Sequence, residues 1–179
     1  MTRHLHGTRA VPCVALLSGL LATTSAVAAD QSLVERGRYL VAIMDCTGCH
    51  TTGALLGQPD PQRYLAGSSI GFEGPPPPGM ASGAVVYPPN LTPDPQTGLG
   101  SWSDEEILAA VRFGRGRGGR VLAPIMPWPS YASLNDDDGQ ALVAYLRSIP
   151  AVSHPVPAPV PPGTEPTDPY LSLVIPGGS

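Results

Sequence analysis

Cys46-Thr47-Gly48-Cys49-His50 puts two thiols and an imidazole within five residues. Thiols three positions apart share one helical turn, so both can add across the vinyl groups on one edge of a porphyrin. The next side chain, His50, then reaches the iron from beneath that edge. Such a tether keeps the imidazole beside the metal and resists its loss. A structural disulfide, a thioredoxin-like redox pair and a zinc site compete for the same cysteines. The redox pair needs a βαβ setting that the flanking sequence lacks, and zinc needs four ligands where donors are scarce. Covalent attachment of haem c at Cys46 and Cys49, with His50 on iron, is the reading these residues support. One motif implies one haem.

The other axial position decides between an electron carrier and a ligand-binding protein. Met44 stands two residues before Cys46, on the attachment side. Met80 follows the run Pro75 to Pro78. Met126 sits in Ala123-Pro124-Ile125-Met126-Pro127-Trp128-Pro129, where three prolines restrict φ and lower the entropy of holding one loop shape. A thioether that must remain on iron benefits from such a loop, so Met126 is the candidate ligand. Met80, His154 and an open site remain as alternatives, the last suiting a gas-binding protein. Methionine favours Fe(II) and raises the potential relative to a second histidine.

Three apolar stretches must position these groups. The pattern Leu33, Val34, Leu40, Val41 and Ile43 predicts a helix from about Ser32 into Cys46. Ser103 followed by Glu106 makes a capping box for a second helix, which Gly114 stops. Asn135 opens a third, with Asp136, Asp137 and Asp138 at its positive end. Leu142, Val143, Leu146 and Ile149 form its buried stripe, and Pro150 ends it. No alternating strand pattern of useful length appears. The expected fold is all-α, with three or more short helices and long loops wrapped around one haem that stands in for much of the core.

Composition limits the setting. The 179 residues include 23 Pro and 21 Gly, which imply much irregular chain. Arg3 and Arg9, the apolar run Ala10 to Leu21 and the small residues Ala26-Val27-Ala28-Ala29 read as a cleaved signal peptide over 1–29. That run is too short to span a bilayer. Export to the periplasm is the expectation, with Cys13 lost in the leader. Of 10 basic residues, eight then face 14 acidic ones, a balance that disfavours nucleic acid. The tract Arg112 to Arg120, rich in Gly and Arg, is read as a solvated or haem-supporting face. Residues 30–150 form the expected domain. Residues 151–179 form a proline-rich tail, read as extended chain that is loosely held or laid along a partner, with His154 solvated.

From about Ser32 to Pro150 the chain resembles class I c-type cytochromes, in particular single haem modules of the cytochrome c subunits of bacterial membrane-associated alcohol, aldehyde and gluconate dehydrogenases. The resemblance is carried by Gly37-Arg38-Tyr39-Leu40, Val86-Tyr87-Pro88-Pro89-Asn90-Leu91-Thr92-Pro93-Asp94, Thr97-Gly98-Leu99-Gly100-Ser101-Trp102-Ser103, Met126-Pro127-Trp128-Pro129-Ser130-Tyr131 and Ala141-Leu142-Val143-Ala144-Tyr145-Leu146-Arg147. It implies the cytochrome c fold, Met126 as distal ligand, and a crossing of first and last helices where Gly37 admits Tyr145. It also implies Asn90, Trp102 and Arg120 as holders of the haem propionates, against a bland role in supporting their loops. Such modules commonly come three to a chain with a membrane-binding C-terminus, whereas this sequence carries one. The implied function is single-electron transfer from a periplasmic dehydrogenase to an oxidase or another cytochrome, as a free carrier or a non-catalytic subunit. No catalytic acid or base is called for. Any membrane association would come through a partner.

Overall fold

The computed structural model describes residues 18–75 and 82–174, with backbone alone for 18–29. The start of the expected leader, Met80, Pro76 to Pro78 and Ile175 lie outside the described residues. The chain divides after Ser32, and the second unit holds everything from Leu33 onward. Helix α1 spans Ser18–Ile43.

The expected single helix into the haem motif is instead broken. Asp45 adopts the left-handed conformation, φ 51°, which a short polar side chain tolerates better than most. Helix α2, Cys46–His50, then follows as a separate element. Helix α3, Asp104–Phe113, has the full capping box: the Ser103 hydroxyl accepts from the Glu106 N–H, and the Glu106 carboxylate accepts from the Ser103 N–H. Gly114 ends it at φ 62°. Helix α4 is the single turn Trp128–Tyr131. Helix α5, Asp136–Ser148, is capped by the Asn135 side chain, which accepts from the Asp138 N–H.

Helices α1 and α5 form the frame. Leu40 and Val41 pack with Ala141, Leu142, Tyr145 and Leu146 in the buried core, joined by Ile107 of α3 and by Leu65 and Leu99 from loops. A Cβ on Gly37 would lie 2.6 Å from the Tyr145 Cβ and closer still to the Ala141 carbonyl, so only glycine allows this approach. Arg36 pairs with Asp138 at 2.7 Å across the same crossing, an exposed pair that solvent screens.

The all-α expectation holds only in part. Strands β1 (Gly71–Glu73), β2 (Val85–Val86) and β3 (Tyr170–Leu171) form a small sheet in the order β2-β1-β3. Phe72 faces Val86 in the antiparallel pair and Leu171 in the parallel one. Strands of two or three residues are too short to show alternation in sequence.

The tail after Pro150 is bound to its own body. Val160 exchanges both backbone hydrogen bonds with Val85, at 3.0 and 2.9 Å, and the Pro169 carbonyl accepts from the Gly71 N–H at 2.9 Å. His154 is half-buried, with its Nδ1 2.9 Å from the Ala66 carbonyl. The sequence signalled extended chain here; the bare backbone donors and acceptors of β1, β2 and the 65–97 loops decide where it lies.

Candidate haem site

Every residue singled out for haem lines one cavity of about 330 Å³. The attachment motif contributes Cys46, Cys49 and His50, the loop before α4 contributes Met126, and Asn90, Trp102 and Arg120 complete the expected set. The volume falls at the low end of ligand pockets, roughly 300–1,000 Å³. Most of the remaining wall is apolar, including Leu99, Ile107, Leu142 and Leu146 from the core.

His50 is positioned by its ring. It is 8% exposed, and Nδ1 lies 2.8 Å from the Pro89 carbonyl. A carbonyl can only accept, so Nδ1 carries the proton and Nε2 keeps its lone pair for a metal. Burial pushes the histidine pKa down, which preserves the neutral form, while the bond to Pro89 acts the other way.

No disulfide joins Cys46 and Cys49, and in the thiol form burial pushes Cys46 up to about 11 and raises Cys49. Protonated thiols are poor disulfide-exchange nucleophiles, and among the described residues no cluster of three or more His, Cys, Asp or Glu could hold a zinc ion. Addition across a vinyl group, by contrast, consumes a neutral S–H and leaves a thioether that needs no charge in the apolar wall. The donor set therefore fits haem better than zinc or a redox pair.

Met126 belongs to a tightly turned segment. Its N–H donates to the Ala123 carbonyl at 3.1 Å, and its own carbonyl accepts from the Trp128 N–H at 2.7 Å. Trp128 packs on the end of α3, where a Cβ on Gly114 would lie 2.6 Å from the indole ring. The Tyr131 hydroxyl donates to the Met44 carbonyl at 2.7 Å, tying α4 to the backbone just ahead of Cys46. Of the alternatives, His154 turns its ring to Ala66, and Met44, set aside for its place on the attachment side, also lines the cavity beside Cys46.

The three propionate candidates separate. Asn90 is 1% exposed and its amide is saturated: Nδ2 donates to Thr97 Oγ1 (3.0 Å) and the Val152 carbonyl (2.8 Å), and Oδ1 accepts from the N–H and hydroxyl of Thr92. These bonds are the loop-supporting role that stood beside the propionate one for Asn90. Trp102 and Arg120 spend no side-chain donor on another described residue, and Arg117 stacks 5.6 Å over the Trp102 ring.

The cavity also has walls that sequence reasoning missed. Phe72 of β1, Val86 of β2 and Pro159 of the tail line it. Val86 and Pro159 stood in stretches already noted for other reasons, but nothing local marked them as cavity residues.

Comparison with known proteins agrees with this donor set. Residues 34–150 match the cytochrome c family model. The cytochrome c subunit of the quinone alcohol dehydrogenase of Gluconobacter oxydans is 35% identical over 140 residues, 78% of this chain and 26% of that protein. The cytochrome c subunit of gluconate 2-dehydrogenase from Pantoea cypripedii is 39% identical over 136 residues, covering 74% and 27%. The fructose dehydrogenase cytochrome subunit of Gluconobacter japonicus is 36% identical over 120 residues, 65% of this chain and 22% of that one. This chain thus spans about a quarter of the length of these relatives. With the family matched over the segment that carries the thiols, the imidazole and the cavity, the chain belongs to the cytochrome c family and is an electron-transfer protein with haem c bound covalently through Cys46 and Cys49.

Proposed function

We propose that this chain is a periplasmic monohaem cytochrome that carries single electrons from a dehydrogenase to a downstream acceptor such as a terminal oxidase, with His50 and Met126 as axial ligands. The observation that carries the reading is the shared cavity: the His50 imidazole and the Met126 thioether line the same space as the two thiols. Bound haem c supplies a one-electron iron couple. The chain supplies the rest. His50 is locked in the tautomer that presents Nε2, Met126 is held in a proline-stiffened turn, and the apolar wall keeps water from the metal. Trp102 and Arg120 offer unspent donors for the propionates. A rigid site of this kind changes little between oxidation states, which suits outer-sphere transfer.

A second reading, as an electron-transfer subunit of a periplasmic oxidoreductase complex, is favoured by the relatives, which are named as dehydrogenase subunits. Copurification with a larger flavin, quinone or molybdenum subunit supports the complex, and isolation as a monomer with full haem supports the free carrier.

The test of the axial pair is the near-infrared spectrum of haem-loaded protein beside Met126→Ala. The Met-to-iron charge-transfer band is expected in the parent and absent in the variant, with carbon monoxide binding to the reduced variant. A band that survives the substitution sinks the Met126 assignment.

A further inference from the structure

The family match stops at residue 150, yet the cavity does not. Pro159 lines the same space as His50 and Met126 and is exposed. An exposed residue that lines the cavity belongs to its rim. The segment around it is docked at successive points along its length. The Val152 carbonyl accepts from Asn90, and its N–H donates to Thr92 Oγ1 at 3.1 Å. The His154 N–H donates to Thr97 Oγ1 at 3.0 Å. Val156 packs on Gly67, where a Cβ would lie 2.5 Å from its methyl group and where φ is +93°. Val160 pairs with Val85, one strand away from Phe72, which is itself a cavity residue. Beyond the rim, the Asp168 carbonyl accepts from the Tyr87 hydroxyl at 3.3 Å, and Tyr170–Leu171 add to β1.

We propose that residues 152–171 form a strap that completes the haem site, with Pro159 as its contact, and that the strap raises the reduction potential by keeping water off the porphyrin edge. The inference rests on haem occupying this cavity and is independent of the Met126 assignment. The physical reason is charge. Ferric haem carries one more positive charge than ferrous haem, so replacing water by an apolar wall costs the ferric state more. Proline suits the position: it has no N–H to satisfy, its ring is apolar, and its fixed φ keeps the strap extended without hydrogen bonds of its own. The strap's polar anchors lie on the 65–97 loops and on strands β1 and β2, so apolar surface is left for the cavity.

The test places one new carboxylate on the strap at either of two exposed positions, in the full haem-loaded chain. Pro159→Asp puts it at the rim, and Thr164→Asp puts it beyond. At fixed ambient potential and high salt, Pro159→Asp is expected to lower the ferrous-to-ferric ratio about tenfold, ~59 mV for a one-electron couple. Thr164→Asp is expected to change it less than about twofold, since exposed charges are screened beyond roughly 3 Å at 1 M salt. A chain ending at Pro150 should also show a lower midpoint and faster oxidation by hexacyanoferrate(III). If that shortened chain fails to load haem, the two point variants decide. The near-infrared methionine band, recorded on the same samples, reports the axial pair separately. Equal shifts for the two point variants, in folded protein with full haem, would overturn the role of the strap.

Discussion

The side-chain amide of Asn90 donates to the carbonyl of Val152, 62 residues further along the chain, at 2.8 Å. The two residues are joined through a small closed network. Thr97 Oγ1 accepts from Asn90 Nδ2 and from the His154 N–H, and donates to Asp94 at 2.7 Å, which uses its full capacity. Thr92, wholly buried, bonds both Asn90 and Val152. The loop that lines the haem cavity and the strap that crosses its rim are therefore one hydrogen-bonded unit.

Asn90→Ala removes the amide from that unit, leaves the buried Thr92 N–H without its acceptor and takes one donor from the half-buried Val152 carbonyl. Each orphaned group costs about 1–3 kcal/mol, so a loss of about 2–4 kcal/mol is expected. Denaturant unfolding of the haem-loaded protein measures it, with the visible spectrum little changed. An unaltered unfolding midpoint would return Asn90 to the propionates.

Gly37→Ala should pry α1 from α5. The new methyl group meets the Ala141 carbonyl and the Tyr145 Cβ, both backbone-anchored, so neither can swing aside. Overpacking of this kind costs about 1–3 kcal/mol. Thermal unfolding followed at the Soret band checks it, and a neutral outcome would mean that the crossing has room to spare.

Acid should unfold the network in a defined direction. The Thr97 hydroxyl, with the N–H groups of Thr97 and Gln96, holds the Asp94 carboxyl below its ordinary value. A depressed folded pKa gives stability that is complete above the unfolded value, near 3.9, and fades as pH falls through the folded one. Asp94→Asn should therefore destabilise at pH 6 and converge on the parent in acid. Stability curves of the two proteins that stay parallel from pH 6 to 2 would refute this.

Tyr131→Phe cuts the tie between α4 and the Met44 carbonyl, with an expected loss of about 1 kcal/mol. Burial pushes the Tyr131 hydroxyl up to about 12, so it stays a donor through ordinary alkaline conditions. Alkaline titration of the methionine band should accordingly begin at lower pH in the variant. Identical titrations would show that the tie does not steady the Met126 loop.

Local signals were legible from the residues alone where a few neighbours settle the outcome. Ser103 with Glu106, Asn135 before three aspartates, and Gly114 after Phe113 each mark a helix end because the cap bonds span only a turn. The break at Asp45 was not legible, since a left-handed aspartate has no distinctive flanks. Asn90 stood as a haem candidate through the family resemblance alone, and its bonds to Thr97 and Val152 became visible only in the folded chain.

The chemistry was written in the sequence: two thiols and an imidazole at fixed spacing favour covalent haem over their other uses, because a helical turn brings them together unaided. What surrounds that haem was decided by tertiary structure. Phe72, Val86 and Pro159 become walls through backbone pairing between segments far apart, and hydrogen bonds of that kind carry no local pattern from which they could be read.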